Sequence, residues 1–471
     1  MFSLFLSAFA LGVGGGAPAT SIGDGLPVKT PRAVGMSAER LAKIDHVVLR
    51  GITAGGYPGA SVVVGRRGAA VWEKGFGRLS WTRGSAQVVA ERTIYDLASL
   101  TKVVATTTAV MILFDEGKLR LDDPVSRYIP EFSGGEKDNV TVRHLLEHRS
   151  GLPAGRDLWR LAHTPDEARA AVISTPLACS PGRCLEYSDL GADMLGFVAE
   201  AAAGESIDKF LATRVWEPLG MTDTFFRPAD SLRSRIAPTE VSPPRGYPLQ
   251  GEVHDENAFA LGGVAGHAGL FSTAADLAVF AQMMLNGGEY AGTRIVADST
   301  VALFTRRAAG SRALGWDTCA NKGSCGNYLG ERAYGHTGFT GTSLWIDPDR
   351  DMFVVLLTNR VHEAKARRPA KVIADVRADL ADAAALAVTD YADGMLAMPR
   401  SFRADKAVDW NRPVRRARPV KKKKASSRSS VSAKKSSSTK STSSAKKPTT
   451  KSSSSKSTKP ATSKSTTSKS R

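Results

Sequence analysis

The chain has 471 residues, with 64 Lys and Arg against 46 Asp and Glu, and four Cys. That length allows a large core and more than one lobe, which sets aside a mini-protein stapled by disulfides. Residues 412–471 hold 20 of the basic side chains and no acidic one, leaving 44 basic against 46 acidic in the rest, so the body is near neutral and a basic nucleic-acid-binding body is set aside.

From the N-terminus, "MFSLFLSAFALGVGGGAPATS" has an apolar run over 2–13 and an A-x-A pattern at Ala17-Pro18-Ala19. The run is too short to span a bilayer, so it predicts a signal peptide over 1–19 and an exported, periplasmic or extracellular protein, with no transmembrane segment after cleavage. "GASVVVGRRGAAVWEKGFG" (59–77) reads as two strands around a Gly65–Gly68 turn, and "TSLWIDPDRDMFVVLLTNR" (342–360) as a second hairpin. Between them helical patterns dominate, among them "ADMLGFVAEAAAG" and "TAADLAVFAQMMLNGG", and "AKVIADVRADLADAAALAV" supplies a last helix. Early strands, a helical middle, late strands and a final helix predict an α/β fold: an antiparallel sheet flanked by helices, its halves drawn from both ends of the chain, with an all-helical lobe inserted.

The expected domain runs over 31–390, followed by a linker at 391–411 and a disordered Lys/Ser/Thr-rich tail at 412–471. The tail has the charge to hold an anionic envelope polymer or nucleic acid, and equally that of a solvated appendage with no defined partner. Cys179 and Cys184 enclose four residues and Cys319 and Cys325 five, spacings that suit two local disulfides in an oxidising compartment. Zinc is the alternative, although neither pair has C-x-x-C spacing.

The chemistry begins at "YDLASLTKVVATTTAVMILFDEGKL" (95–119), where Ser99 and Lys102 stand three apart at the front of an apolar helix. Residues so spaced share a helix face, and a serine becomes a nucleophile when a neighbouring base takes its proton. Alone the pattern is weak: the tail repeats it at Ser437/Lys440 through composition. Two further motifs follow in order, "LEYSDLG" with Tyr187 and Asp189, and "YGHTGFTGTSLWIDP" with His336, Thr337, Gly338 and Phe339 before a strand.

Together these residues resemble the S-x-x-K, Y-x-N and K/H-T-G motifs of the serine β-lactamase and penicillin-binding protein superfamily. The resemblance is to its class C β-lactamase-like branch, which includes DD-peptidases and esterases. It spans about 31–388 and takes in "VTVRHLLEHRSGLP" and "VHDENAFALGGVAGHAGLFS". It implies Ser99 as the acylated nucleophile, Lys102 as its base, Tyr187 as proton relay, and the Ser99 and Phe339 N–H groups as oxyanion donors, with Thr337 and Gly338 against the substrate and no cofactor. The implied substrate is a small molecule or a peptidoglycan-type peptide.

Asp189 stands where many relatives have Asn, and a carboxylate there favours protonated Lys102. His336 stands where β-lactamases have Lys, so an imidazolium is expected to meet a substrate carboxylate. Both changes point to a D-alanyl peptidase or esterase with weak or no β-lactamase activity. Two other classes stay open. "HLLEH" (144–148) matches the H-x-x-E-H pattern of a zinc metallopeptidase, with His144 and His148 as ligands and Glu147 as base. A degenerate scaffold that binds through its tail is the other. His254, Asp255, Asn257 and His267 are candidates to line the acyl site or to serve as structural hydrogen-bonding groups.

Overall fold

A computed structural model describes residues 25–391 and 394–411. The expected signal peptide and the basic tail lie outside the described residues.

The central sheet has six antiparallel strands: β1 (Gly59–Arg66), β2 (Ala69–Gly77), β3 (Asp317–Thr318), β4 (Tyr334–Thr337), β5 (Ser343–Asp347) and β6 (Met352–Thr358). Their order is β2-β1-β6-β5-β4-β3, and β1 pairs with β6 from Ala60–Thr358 to Arg66–Met352, so the two ends of the chain meet in mid-sheet as the hairpins predict. Period-two alternation divides the valines of β1. Val62 and Val64 pack with Met352, Val354 and Leu356 on one face, while Val63 packs with Phe353, Val355 and Leu357 on the other. All eight residues of β1 are buried, which requires cover on both faces.

Helices α1 (Lys43–Thr53) and α5 (Pro369–Leu386) cover the first face through Val47, Val48, Val372 and Val376. The other face carries α2 (Ala98–Asp115), α3 (Asp189–Ala203) and α4 (Ala274–Leu285). Thr273 caps α4 by accepting the Asp276 N–H, as its sequence suggests. By length and composition α2 could cross a membrane, but it is mostly buried inside the molecule, which accounts for an apolar surface all round.

The segment expected to be a linker is part of the body. Arg403–Trp410 forms a 3-10 helix whose Arg403 and Ala404 N–H groups donate to Asp379 on α5, and Trp410, fully buried, donates its indole N–H to Asp375 at 2.7 Å. Two α5 carboxylates that a solvated helix face would leave to water thus anchor it. Trp410→Ala is expected to lower stability by about 3–5 kcal/mol in denaturant titration. A loss below about 1 kcal/mol would show that the segment contributes little to the core.

The structure pairs Cys179 with Cys184 and Cys319 with Cys325.

Candidate active site

Asp96 sets the start of α2. Its buried carboxylate accepts the Ala98 N–H at 2.8 Å and the His254 N–H at 2.7 Å, holding Ala98 at φ +47°, a left-handed conformation that side chains other than glycine rarely adopt. Ser99 follows on the first turn. The helix then widens into a π-helical stretch, Lys102–Thr107, where the Thr107 and Thr108 hydroxyls donate to the carbonyls of Lys102 and Val103, five residues back.

Lys102 is buried, with Nζ 2.9 Å from Ser99 Oγ, 3.2 Å from the His267 carbonyl and 2.7 Å from Asp189 Oδ1. Three contacts match the three N–H donors of an ammonium. Burial pulls the lysine pKa down, but Tyr187 and Asp189 outweigh it and hold the group above the ordinary lysine value. In this arrangement Lys102 donates to Ser99, and it can accept the serine proton only after losing its own.

Ser188 fixes the second motif as N-cap of α3: its hydroxyl accepts the Gly191 N–H at 2.9 Å and donates to the Pro153 carbonyl at 2.6 Å. The same residue's N–H donates to His148 Nδ1 at 3.2 Å. These bonds place the Tyr187 ring between two cations, Lys102 Nζ at 4.8 Å and the Arg312 guanidinium at 5.0 Å. Asp189 is committed to Lys102. It is not among the residues that line the cleft beside Ser99.

His336 and Thr337 form the end of β4 itself, one element earlier than the motif suggests. Gly338 is required there: a Cβ would come within 2.3 Å of the Leu97 carbonyl oxygen and 2.1 Å of the Thr342 hydroxyl. The following loop is fastened to the start of α2, since Thr340 and Thr342 hydroxyls donate to the carbonyls of Asp96 (2.7 Å) and Leu97 (2.9 Å). Arg377 of α5 adds bonds to the carbonyls of Gly338 (2.6 Å) and Thr342 (2.9 Å). Phe339 stays 60% exposed at the rim, its ring against His254 and under Arg360.

Ser99, Tyr187, His336, Thr337, Gly338 and Phe339 share one cleft of about 370 Å³. A larger cavity, about 950 Å³ between Trp159 and Phe259, contains none of the motif residues.

The expected imidazolium at His336 does not fit its surroundings. The side chain is buried, Nδ1 lies 2.9 Å from the Thr337 carbonyl and Nε2 3.5 Å from Arg312. Burial, then Arg312 and Lys102, hold its pKa well below the ordinary histidine value, so the ring is neutral at neutral pH. The fixed charge at this point belongs to Arg312, which also pairs with Asp317 at 2.9 Å. Sequence reading missed Arg312, Arg360 and Arg377. Arg312 lies in "GSRALGWD", a loop without a motif, and Arg377 interrupts the apolar pattern of α5 as any solvated arginine would.

The H-x-x-E-H histidines do not share a helix face, because His144 lies on a helix that ends at Leu146, before His148. His144 is bound into the helix N-terminus, accepting the Thr141 N–H at 3.3 Å. His148 lies past the end at φ +56°, its ring 4.7 Å from Tyr187. The other candidates make hydrogen bonds to side chains and backbone around the site. His267 bridges Asp193 (2.6 Å) and Asp255 (2.9 Å), His254 contacts Glu240 (2.9 Å), and Asn257 accepts the Leu158 N–H (2.8 Å). Through its carbonyl, His267 also reaches Lys102.

The arrangement joins a serine, a buried amine, a tyrosine and a glycine-permitted loop in a cleft rich in arginine. The family model described as Beta-lactamase matches residues 44–378. An Escherichia coli K12 protein named "Putative D-alanyl-D-alanine carboxypeptidase" is 33% identical over 378 residues, covering 72% of this chain and 87% of that one. A Salmonella agona protein of the same name is 34% identical over the same shares. Among solved structures, a penicillin-binding protein homologue from Caulobacter crescentus aligns at TM-score 0.61 with 22% identity, over 74% of this chain and 98% of the other. The hydrolase EstCE1, described as having promiscuous acyltransferase activity, aligns at TM-score 0.59 with 23% identity, over 74% and 99%. At those identities the two structures bear on the fold.

Proposed function

Because this chain belongs to the Beta-lactamase family of serine hydrolases, we propose that it removes the C-terminal residue from D-alanyl peptides of the peptidoglycan type through an acyl-enzyme on Ser99. The observation that carries this reading is the 2.9 Å contact of Ser99 Oγ with Lys102 Nζ at the mouth of a cleft lined by Arg312. Ser99 Oγ bonds to the D-alanyl carbonyl carbon while its proton passes to Lys102 in the neutral form. Collapse breaks the C–N bond as Tyr187 delivers a proton to the departing amine and recovers one from the Lys102 ammonium. Water then attacks the ester, giving its proton to the neutral Lys102, which passes it to the departing Ser99 oxygen. The N–H groups of Ser99 and Phe339 stabilise the negative oxygen of each tetrahedral intermediate.

Arg312 takes the terminal carboxylate, the role that the sequence suggested for His336. Arg312→Gln is expected to lower kcat/KM for a D-alanyl peptide by about 10–100-fold and to spare an uncharged ester. An imidazolium reader would lose affinity as pH rises through about 6.5, because deprotonation removes its charge. A guanidinium keeps its charge, so affinity for carboxylate substrates is expected to stay flat through that range. Equal losses on peptide and ester, or affinity that falls through the imidazole range, would remove this assignment.

Ester cleavage is a second reading, favoured by the exposed Phe339 ring at the rim. Steady-state rates on a D-alanyl peptide and on a matched ester decide between them. The two disulfides support an exported, periplasmic location, with the basic tail as a tether to anionic envelope polymer.

A further inference from the structure

The cleft beside Ser99 holds more positive charge than one carboxylate uses. Arg312, Arg360 and Arg377 line it, and Asp317 is the acidic side chain among its lining residues. Asp317 is already engaged by Arg312. Arg360 and Arg377 have no carboxylate within ion-pairing distance among the described residues. Arg377 spends one nitrogen on the Gly338 and Thr342 carbonyls, while its buried Nε has no hydrogen-bond partner. Arg360 lies over the Phe339 ring at 4.5 Å. Burial, with Arg360 as the neighbouring cation, pushes Arg377 down to about 9, while Glu240 is the carboxylate whose charge reaches Arg360.

The charge is divided between two places. Arg312 sits against His336 and Tyr187, whereas Arg377 and Arg360 hold Gly338 and Phe339, two to three residues further along the chain. His336 stands within β4, while Gly338 and Phe339 open the turn that follows it.

We propose that the cleft accepts a substrate with two anionic groups: a terminal α-carboxylate at Arg312 and a second carboxylate at Arg360 and Arg377, as in a peptide whose C-terminal residue is acidic. The identity of the first group rests on the peptidase reading above. The second locus stands on the unpaired arginines alone.

The test compares N-acyl peptides ending in D-Ala-D-Glu and D-Ala-D-Gln, which match in size and differ by one charge. At low salt kcat/KM is expected to favour the D-Glu peptide about tenfold. Arg360→Gln should bring the ratio close to one, Arg360→Lys should retain part of it, and added salt should reduce it in the parent. A parent ratio of one or below, or a ratio unchanged in Arg360→Gln, overturns the proposal. Glutarate and its monoamide, tested as inhibitors of ester hydrolysis, give the comparison without peptide turnover. Stronger inhibition by glutarate when neither peptide is cleaved removes the peptidase reading and keeps the two-anion cleft. Equal inhibition overturns the proposal.

Discussion

Ser99→Ala is expected to lower turnover of any substrate at least about 10⁴-fold while the protein stays folded. The proposed reaction has no other hydroxyl to acylate, and the substitution removes the atom that forms the bond. Folding should survive because the Ser99 hydroxyl makes one hydrogen bond, with Lys102, worth about 1 kcal/mol. Lys102 keeps Asp189 and the His267 carbonyl as partners, so no buried charge is orphaned. Rates with ester and peptide, and unfolding midpoints by denaturant, measure both halves. Activity within tenfold of the parent would place the reaction elsewhere.

Lys102→Met should cost about 10²–10⁴-fold in kcat, the range expected for loss of a positioned general base. Methionine retains most of the apolar volume, and Asp189, about a third exposed, can turn to water once its partner is gone. Asp189→Asn acts on the same amine with the opposite sign. The carboxylate favours the ammonium, so its removal lowers the lysine pKa and makes the neutral amine available at lower pH. The acid limb of kcat/KM against pH is therefore expected to move to lower pH, with activity at neutral pH rising. A limb that stays in place in Asp189→Asn would show that Lys102 does not accept the serine proton, whatever Lys102→Met does to the rate.

Much of the fold was legible because each half of the sheet carries a local signal. The β1–β2 hairpin turns on Arg67 and Gly68, both at positive φ, and β5–β6 turns on the Pro348–Asp351 stretch between alternating apolar residues. Helix α4 showed its Thr273 cap and α5 its apolar repeat directly. The 394–411 segment did not, because its anchors, Asp375 and Asp379, lie on a distant helix and its own composition is that of a loop.

The site divides in the same way. Ser99, Lys102, Tyr187 and Gly338 were visible because they fall in three short motifs, in order, that resemble those of a known superfamily, and the structure brings them into one place. Three other features depend on contacts far apart in sequence: the Asp96 carboxylate that takes the His254 N–H, the Arg312 beside His336, and the Arg360–Arg377 pair. No periodicity encodes such contacts. His336 illustrates the difference: the motif that holds it is local, but its charge is set by burial and by an arginine 24 residues away.

The central claim is that one serine becomes covalently acylated. Treating the protein with a fluorescent penicillin and, separately, with a fluorophosphonate, followed by intact mass and mapping of the labelled peptide, tests it most directly. The account predicts one adduct per chain, on the peptide containing Ser99, and none in Ser99→Ala. An adduct on another residue, or hydrolysis that continues in protein fully labelled at Ser99, would contradict it.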